Sequence, residues 1–520
     1  MPIRMRPDEH QSEDAPERNR GGGGGGKIPG GGLLTFLLPL LFKKPKLLIL
    51  AILIFGGWYF FSKGCNTSVP STTDTSSENS LYKGCEMKPE EYGKAYVFAA
   101  LSDREKLPAQ ASLAKYCPTP RNQGQQGSCV GWGSAYAART IMESLATGKN
   151  PDAVAFSPSY LYNQIHLPDC QGAYINKAMD VQQKNGALPF KYFQYDENNC
   201  NTRPNNQMVE AARNFNIHGY NRLTSSERPD GVDMLAIKQN IAKGGPVVIG
   251  MLVGGSFMQE MMGADLWTPS DYDYKKQGFG GHCMCLVGYD DNKYGGSFQI
   301  YNSWGPEWGQ NGIAWVRYDD FNHFCVEAYG IDPLASKQSS AQQNILQAQV
   351  SLINIKPNVK GTARYGSSIS LSGAGSIFES STVNINNEFK IEVKNSNPCY
   401  TYVIGEETDK TTYRLFPYTD KHSAYCGITG SRIFPQDFSM YPDKVGSKDY
   451  MAVIVTKNPL DINALTSKMD GQSGSFYQKI KTGLSSRFNS NAKLVGGKIM
   501  FNYNTSNADA AFCVIAINKN

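Results

Sequence analysis

Arg121-Asn-Gln123-Gly-Gln-Gln-Gly-Ser-Cys129-Val-Gly-Trp132 leads into a helical pattern whose apolar stripe is Ala135, Ala138, Ile141 and Leu145. A Gly-rich loop that turns into a helix at a cysteine places that thiol at a helix N-terminus. Partial positive charge and free N–H groups there favour thiolate over thiol. Cys129 is therefore a candidate nucleophile, and its own amide and the side-chain amide of Gln123 are candidate donors for an oxyanion hole.

Two later segments supply the partners such a thiol needs. Gly280-Gly-His282-Cys-Met-Cys-Leu-Val-Gly288-Tyr289 reads as an apolar strand that begins on a histidine. Alternation puts His282, Met284 and Leu286 on one face and Cys283, Cys285 and Val287 on the other, so only His282 is expected to face Cys129. Phe298-Gln-Ile-Tyr-Asn302-Ser-Trp304-Gly305-Pro-Glu-Trp308-Gly309-Gln-Asn-Gly312 puts Phe298, Ile300 and Asn302 on a shared face. Asn302 can accept from one imidazole nitrogen and so fix the tautomer for proton transfer. Taken singly, a buried cysteine or a strand histidine is ordinary core material. Together, Cys, His and Asn are the minimum kit for thiol-dependent acyl transfer. A metal site at His282-Cys283-x-Cys285 is disfavoured, because alternation turns the histidine from both thiols. This chemistry calls for no cofactor.

The three segments, in this order, resemble the papain family of cysteine peptidases: Gln-Gly-x-x-Gly-Ser-Cys opening a helix, a His opening a strand, then Asn-Ser-Trp-Gly and Trp-Gly-x-Asn-Gly. Cys170-Gln-Gly172-Ala-Tyr is similar to the family's cleft segment, and Gly245-Pro246-Val-Val to the strand before the histidine. The resemblance spans about residues 108–333 and implies an α+β, two-lobed fold, with Cys129 on a helical lobe and His282 and Asn302 on a β-barrel-like lobe. Gly172 and Trp304 are then expected at the substrate cleft, with a peptide or protein as substrate; the other reading of Trp304, with Trp308, is packing around Asn302 that shields its hydrogen bond from water. It also implies Cys170–Cys200 and Cys325 with Cys283 or Cys285 as disulfides. Departures are Val130 where relatives carry Trp, Gln126 where they carry Cys, and Gly281 before the histidine. No helical inhibitory propeptide is recognisable in residues 63–107. A rival reading is an inert papain fold serving as a cell-envelope binding or scaffolding module.

The rest of the chain is of different material. A net charge of +5, without a basic stripe interleaved by aromatics, gives nucleic-acid binding no support. Residues 1–46 read as a disordered cytoplasmic tail, Gly-rich and with eight Lys/Arg against five Asp/Glu. Residues 47–62 read as a single transmembrane anchor, with Trp58 and Tyr59 suited to the interface. The positive-inside rule then puts the catalytic domain in the periplasm or outside the cell. Residues 63–107 read as a stalk and 334–358 as a linker. Residues 359–520 read as a β-sandwich-like accessory domain, with strands at 382–386, 389–393, 400–404, 413–417, 450–455 and 511–517. Leu415-Phe-Pro417 and Val453-Ile-Val-Thr-Lys-Asn-Pro-Leu460 resemble a bacterial domain of unknown function appended to peptidases, which leaves its ligand unnamed. Cys399 with Cys426 is a candidate clip for this domain among the 12 cysteines.

Overall fold

The computed structural model describes residues 3–7, 83–97, 100–223, 231–334, 344–356, 365–375, 377–436 and 438–520. The helical lobe is built on one long helical run, Cys129–Gly131, then a π-helical Trp132–Arg139, then Thr140–Thr147. Ala135, Ala138 and Ile141 are buried along it, as the stripe requires, against Tyr162, Ile175 and Met179. The second lobe is a sheet in the order Tyr220–Arg222, Cys325–Ile331, Val247–Val253, Gly280–Asp290, Ser297–Tyr301, Ile313–Arg317, Leu266–Trp267. Antiparallel register sets Cys285 opposite Tyr301, which carries the start of the histidine strand past the end of its neighbour. His282 thus arrives beside residues 302–304.

The accessory domain is a sandwich of two sheets with Leu352, Ile391, Val403, Val453 and Ile515 in the core between them. Two helices, Ile462–Asp470 and Phe476–Leu484, cover the outer face of one sheet and were not foreseen. Five of the six expected strands form; residues 382–386 instead make only an isolated bridge, Val383 with Lys519.

Three domain assignments change. The supposed linker 334–358 contains the strand Ile345–Ile355, flanked on both sides in its sheet. Its Gln347 is exposed while Leu346, Ala348 and Val350 are buried, so the polar residues were the outward half of an alternating strand. The supposed stalk does not stand free from residue 83 onward: Cys85, Tyr92, Ala95 and Leu101 are buried. The supposed tail contributes a strand, Ile3–Pro7, antiparallel to Phe438–Pro442, with Ile3 buried in the sandwich core. That pairing sets residues 3–7 beside the accessory domain. The anchor at 47–62 lies outside the described residues; among those described, no helix is long and apolar enough to cross a membrane.

Candidate active site

Cys129 is the first residue of its helix, fully buried, with the backbone N–H groups of Cys283, Val130 and Cys129 itself directed at its sulfur. His282 Nε2 lies 2.8 Å from Asn302 Oδ1. That oxygen also accepts from Ser303 N–H at 2.7 Å, so Nε2 is the donor and Nδ1 carries the free lone pair. Nδ1 is buried and has no hydrogen-bond partner among the described residues. The imidazole is stacked on Trp304, ring centroids 4.2 Å apart, and Trp304 rests against Trp308 and Phe257. Trp304 is thus the floor under the histidine, 2 % exposed, and not a wall of the cleft as expected.

Gln123 is held from four sides. Its N–H donates to Ser303 O, its carbonyl accepts from Tyr195, its Oε1 accepts from Ser303 Oγ at 2.7 Å, and its Nε2 donates to Gln126 O at 2.9 Å. The second Nε2 proton remains for a substrate oxyanion. His282, Asn302 and Gln123 are thus joined through Ser303, and Cys129 lies against the backbone of Cys283, the residue after the histidine. Cys283, however, does not turn away from the nucleophile. Cys283 and Cys285 pack into the same core as Cys129, whereas Met284 and Leu286 enter the core of the sheet lobe. Alternation was read correctly but tied to the wrong face, because His282 sits at the strand end and reaches its partner beyond the sheet.

Cys170 and Cys200 form a disulfide with Cα atoms 6.0 Å apart, while Cys283, Cys285 and Cys325 are free thiols. Cys399 and Cys426 face each other across paired strands, also as thiols.

The unforeseen component is the chain's own residues Lys83–Met87, which run across the site. Gly84 and Cys85 N–H groups donate to Gly281 O at 3.2 and 3.0 Å, Ala173 N–H donates to Gly84 O at 3.0 Å, and Glu86 N–H donates to Ala173 O at 3.0 Å. Gly172, expected in the cleft, has φ +123° and a hypothetical Cβ there would meet Gly84 O at 2.6 Å. Gly281, the departure noted before the histidine, is the position where a side chain would overlap the Cys85 carbonyl. Burial sets the electrostatics of the site. Desolvation pushes the Cys129 thiol up to about 12 and drops His282 to about 4, with the Lys83 ammonium of the cover pushing His282 further down. Thiol and imidazole are both neutral in this state. The cover lacks a helical signature, which is why a search for one in residues 63–107 missed it.

Under the cover lies a second buried acid. A Cβ on Gly250 would sit 2.8 Å from Met87 Sδ and 3.0 Å from Glu327 Oε1, so cover and carboxylate share the space above this glycine. Glu327 accepts from Tyr329 Oη at 2.6 Å, and burial raises it to about 7 despite the opposing Arg222 charge. A carboxyl raised on folding stabilises the protein below its ordinary value of 4.5 and loses that contribution as pH rises through about 7. The melting temperature of the protein relative to a Glu327→Gln variant should therefore be higher by a few degrees at the acid end of this window than above it, read by calorimetry. A gap independent of pH would show that Glu327 is not a buried, raised acid.

Residues 108–333 match the family described as papain family cysteine protease. An uncharacterised peptidase C1-like protein of Acanthamoeba polyphaga mimivirus is 30% identical over 207 residues, covering 38% of this chain and 63% of that protein. Cathepsin K of Mus musculus is 29% identical over 227 residues, covering 42% and 61%. Xylellain, a cysteine protease from Xylella fastidiosa, superposes with a TM-score of 0.41 at 22% identity, covering 51% of this chain and 100% of that one. The chain spans about three fifths of the length of the curated relatives it matches.

Proposed function

We propose that the chain hydrolyses peptide bonds through Cys129, and that the state described here is its closed form, with Lys83–Met87 over the site. The observation that carries the reading is the His282 ring: Nε2–H is fixed by Asn302, and Nδ1 is buried, deprotonated and without a partner. That is the state a general base needs before it takes a thiol proton.

Once the cover leaves, water and substrate dipoles return and the proton passes from Cys129 to His282 Nδ1. The thiolate adds to the peptide carbonyl carbon, and the oxyanion is met by the Cys129 N–H and the free Gln123 Nε2–H. Collapse breaks the C–N bond as His282 gives its proton to the departing amine. A water, deprotonated by His282, then adds to the thioester, and the acid product leaves with the thiolate restored.

The pocket above Gly250 supports a substrate class. A buried carboxylate at the end of a space that Met87 now fills is matched by a cationic side chain, which would replace apolar cover by charge pairing. In an uncovered background, Glu327→Gln is expected to lower kcat/KM for a peptide with arginine at that position about tenfold or more, and to leave a leucine peptide within about twofold. Equal losses on both peptides would count against a specificity role. The activity itself is tested by trapping Cys129 with a peptide-like electrophile.

A further inference from the structure

We infer that the accessory domain is the clamp that keeps the cover on the peptidase: its Lys421–Ser423 and Gly430–Ser431 segments form a docking surface for residues 96–97 and 101–105 of the same chain. The inference rests on the covered-site reading above and adds the element that holds it.

The cover is held by the peptidase alone among the described residues, with Cys85 buried in the core that contains Cys129. Residues 84–86 make four backbone hydrogen bonds to Gly281 and Ala173, and Lys83 reaches Gly278 O at 3.3 Å. The chain that follows is fixed on two sides at once. Arg222 N–H of the peptidase donates to Tyr96 O at 2.7 Å, while Val97 N–H donates to Lys421 O at 2.7 Å and Val97 O accepts from Ser423 N–H at 3.2 Å. Val97 thus bridges a strand of the peptidase and the accessory domain, in parallel register with both. Further along, the buried Gln239 amide brackets the Leu101 backbone, accepting from its N–H at 2.8 Å and donating to its O at 2.7 Å. On the opposite side Ser102 N–H donates to Ser431 O at 2.7 Å, and a Cβ on Gly430 would press on Leu101 at 2.9 Å. Glu105 closes the seam, taking Lys243 from the peptidase and Ser431 N–H from the accessory domain, each at 3.2 Å.

Leu101 of this segment and Ile428 of the accessory domain enter one core with the sheet lobe of the peptidase. The segment is therefore a layer between two domains, and removing either face leaves its buried backbone groups unpaired. Ten residues upstream, the cover pairs with the two lobes of the peptidase and, among the described residues, not with the accessory domain. A surface pocket lined by Tyr96, Tyr400, His422 and Ser423 borders the Val97 bridge. Loosening the accessory face is then expected to free the segment, and the cover with it.

The test changes only accessory or seam residues, in the full-length chain. Gly430→Val drives a side chain into Leu101 at a glycine with φ +148°, and Glu105→Ala deletes the partner of both Lys243 and Ser431 without disturbing a core position. The readout is the rate of Cys129 alkylation by iodoacetamide, located by peptide mapping, which needs no catalysis. Gly84→Val, which ejects the cover directly, is the reference. We expect about tenfold faster labelling in Gly430→Val and about threefold in Glu105→Ala, with the melting temperature of the peptidase domain retained. If Gly84→Val labels quickly and both seam variants label at the unaltered rate, the clamp is wrong while the cover stands. If Gly84→Val also labels at the unaltered rate, the cover is not what protects Cys129, and the clamp falls with it. Should Gly430→Val fail to fold, the Glu105→Ala rate decides.

Discussion

A Gly84→Val chain is expected to cleave peptide substrates about a hundredfold faster than the unaltered chain, because activity scales with the fraction of molecules whose site is open. The ground is steric. A Cβ at Gly84 would overlap the backbone of Gly127, with the Gly127 Cα only 2.6 Å away, and backbone cannot give way as a side-chain tip can. Gly84 itself belongs to the cover and not to the machinery, so the change leaves Cys129, His282, Asn302 and Gln123 untouched. Uncovering also takes away the Lys83 ammonium that pushes His282 down and admits water to the site, which favours passage of a proton from Cys129 to His282. The measurement is hydrolysis of a fluorogenic peptide at neutral pH. An unchanged rate in a folded variant would mean that the cover does not limit the enzyme.

In that open background, Cys129→Ala and His282→Ala should each remove hydrolysis by a factor on the order of 10⁴ or more, since neither the nucleophile nor its base has a substitute in the site. The partners should follow in graded order. Gln123→Ala is expected to cost about a hundredfold in kcat, the scale of one oxyanion donor. Asn302→Ala should lower kcat less than loss of the histidine does, because it frees the imidazole tautomer without removing the base. Turnover on a single peptide across the four variants checks the order. A Cys129→Ala chain that retained turnover would move the chemistry elsewhere.

The proposed machinery could be read from the sequence because each of its residues carries a local reason. A glycine-rich loop ending on a cysteine, a histidine at the head of an apolar strand, and an asparagine one residue past the next strand are all visible in order along the chain. What they touch was less legible. The face of Cys283 depended on which core lay on which side of the strand, and alternation alone does not say. Trp304 carried two expectations, packing around Asn302 and a place at the cleft; it packs, stacked under His282. The cover escaped for a different reason. Lys83-Gly-Cys-Glu-Met87 has no periodicity to read, and its role arises from backbone pairing with Gly281 and Ala173, about 90 to 200 residues away in sequence. Likewise, the Gln-rich stretch around Ile345–Ile355 resembled a linker until its alternate residues were seen to line the sandwich core. Local chemistry announced itself in this chain; pairing between distant segments did not.

The most direct test is intact-mass analysis and peptide mapping after full-length chains react with a peptidyl chloromethyl ketone, comparing the unaltered protein with Gly84→Val and with Gly84→Val carrying Cys129→Ala. One adduct per chain, on Cys129, formed quickly in Gly84→Val, slowly in the unaltered protein and not at all once Cys129 is replaced, is the predicted result. Equal rapid labelling of the unaltered chain would contradict the closed state. Adducts on other cysteines, or none on Cys129 in the folded Gly84→Val chain, would contradict the peptidase itself and favour an inert papain fold used for binding.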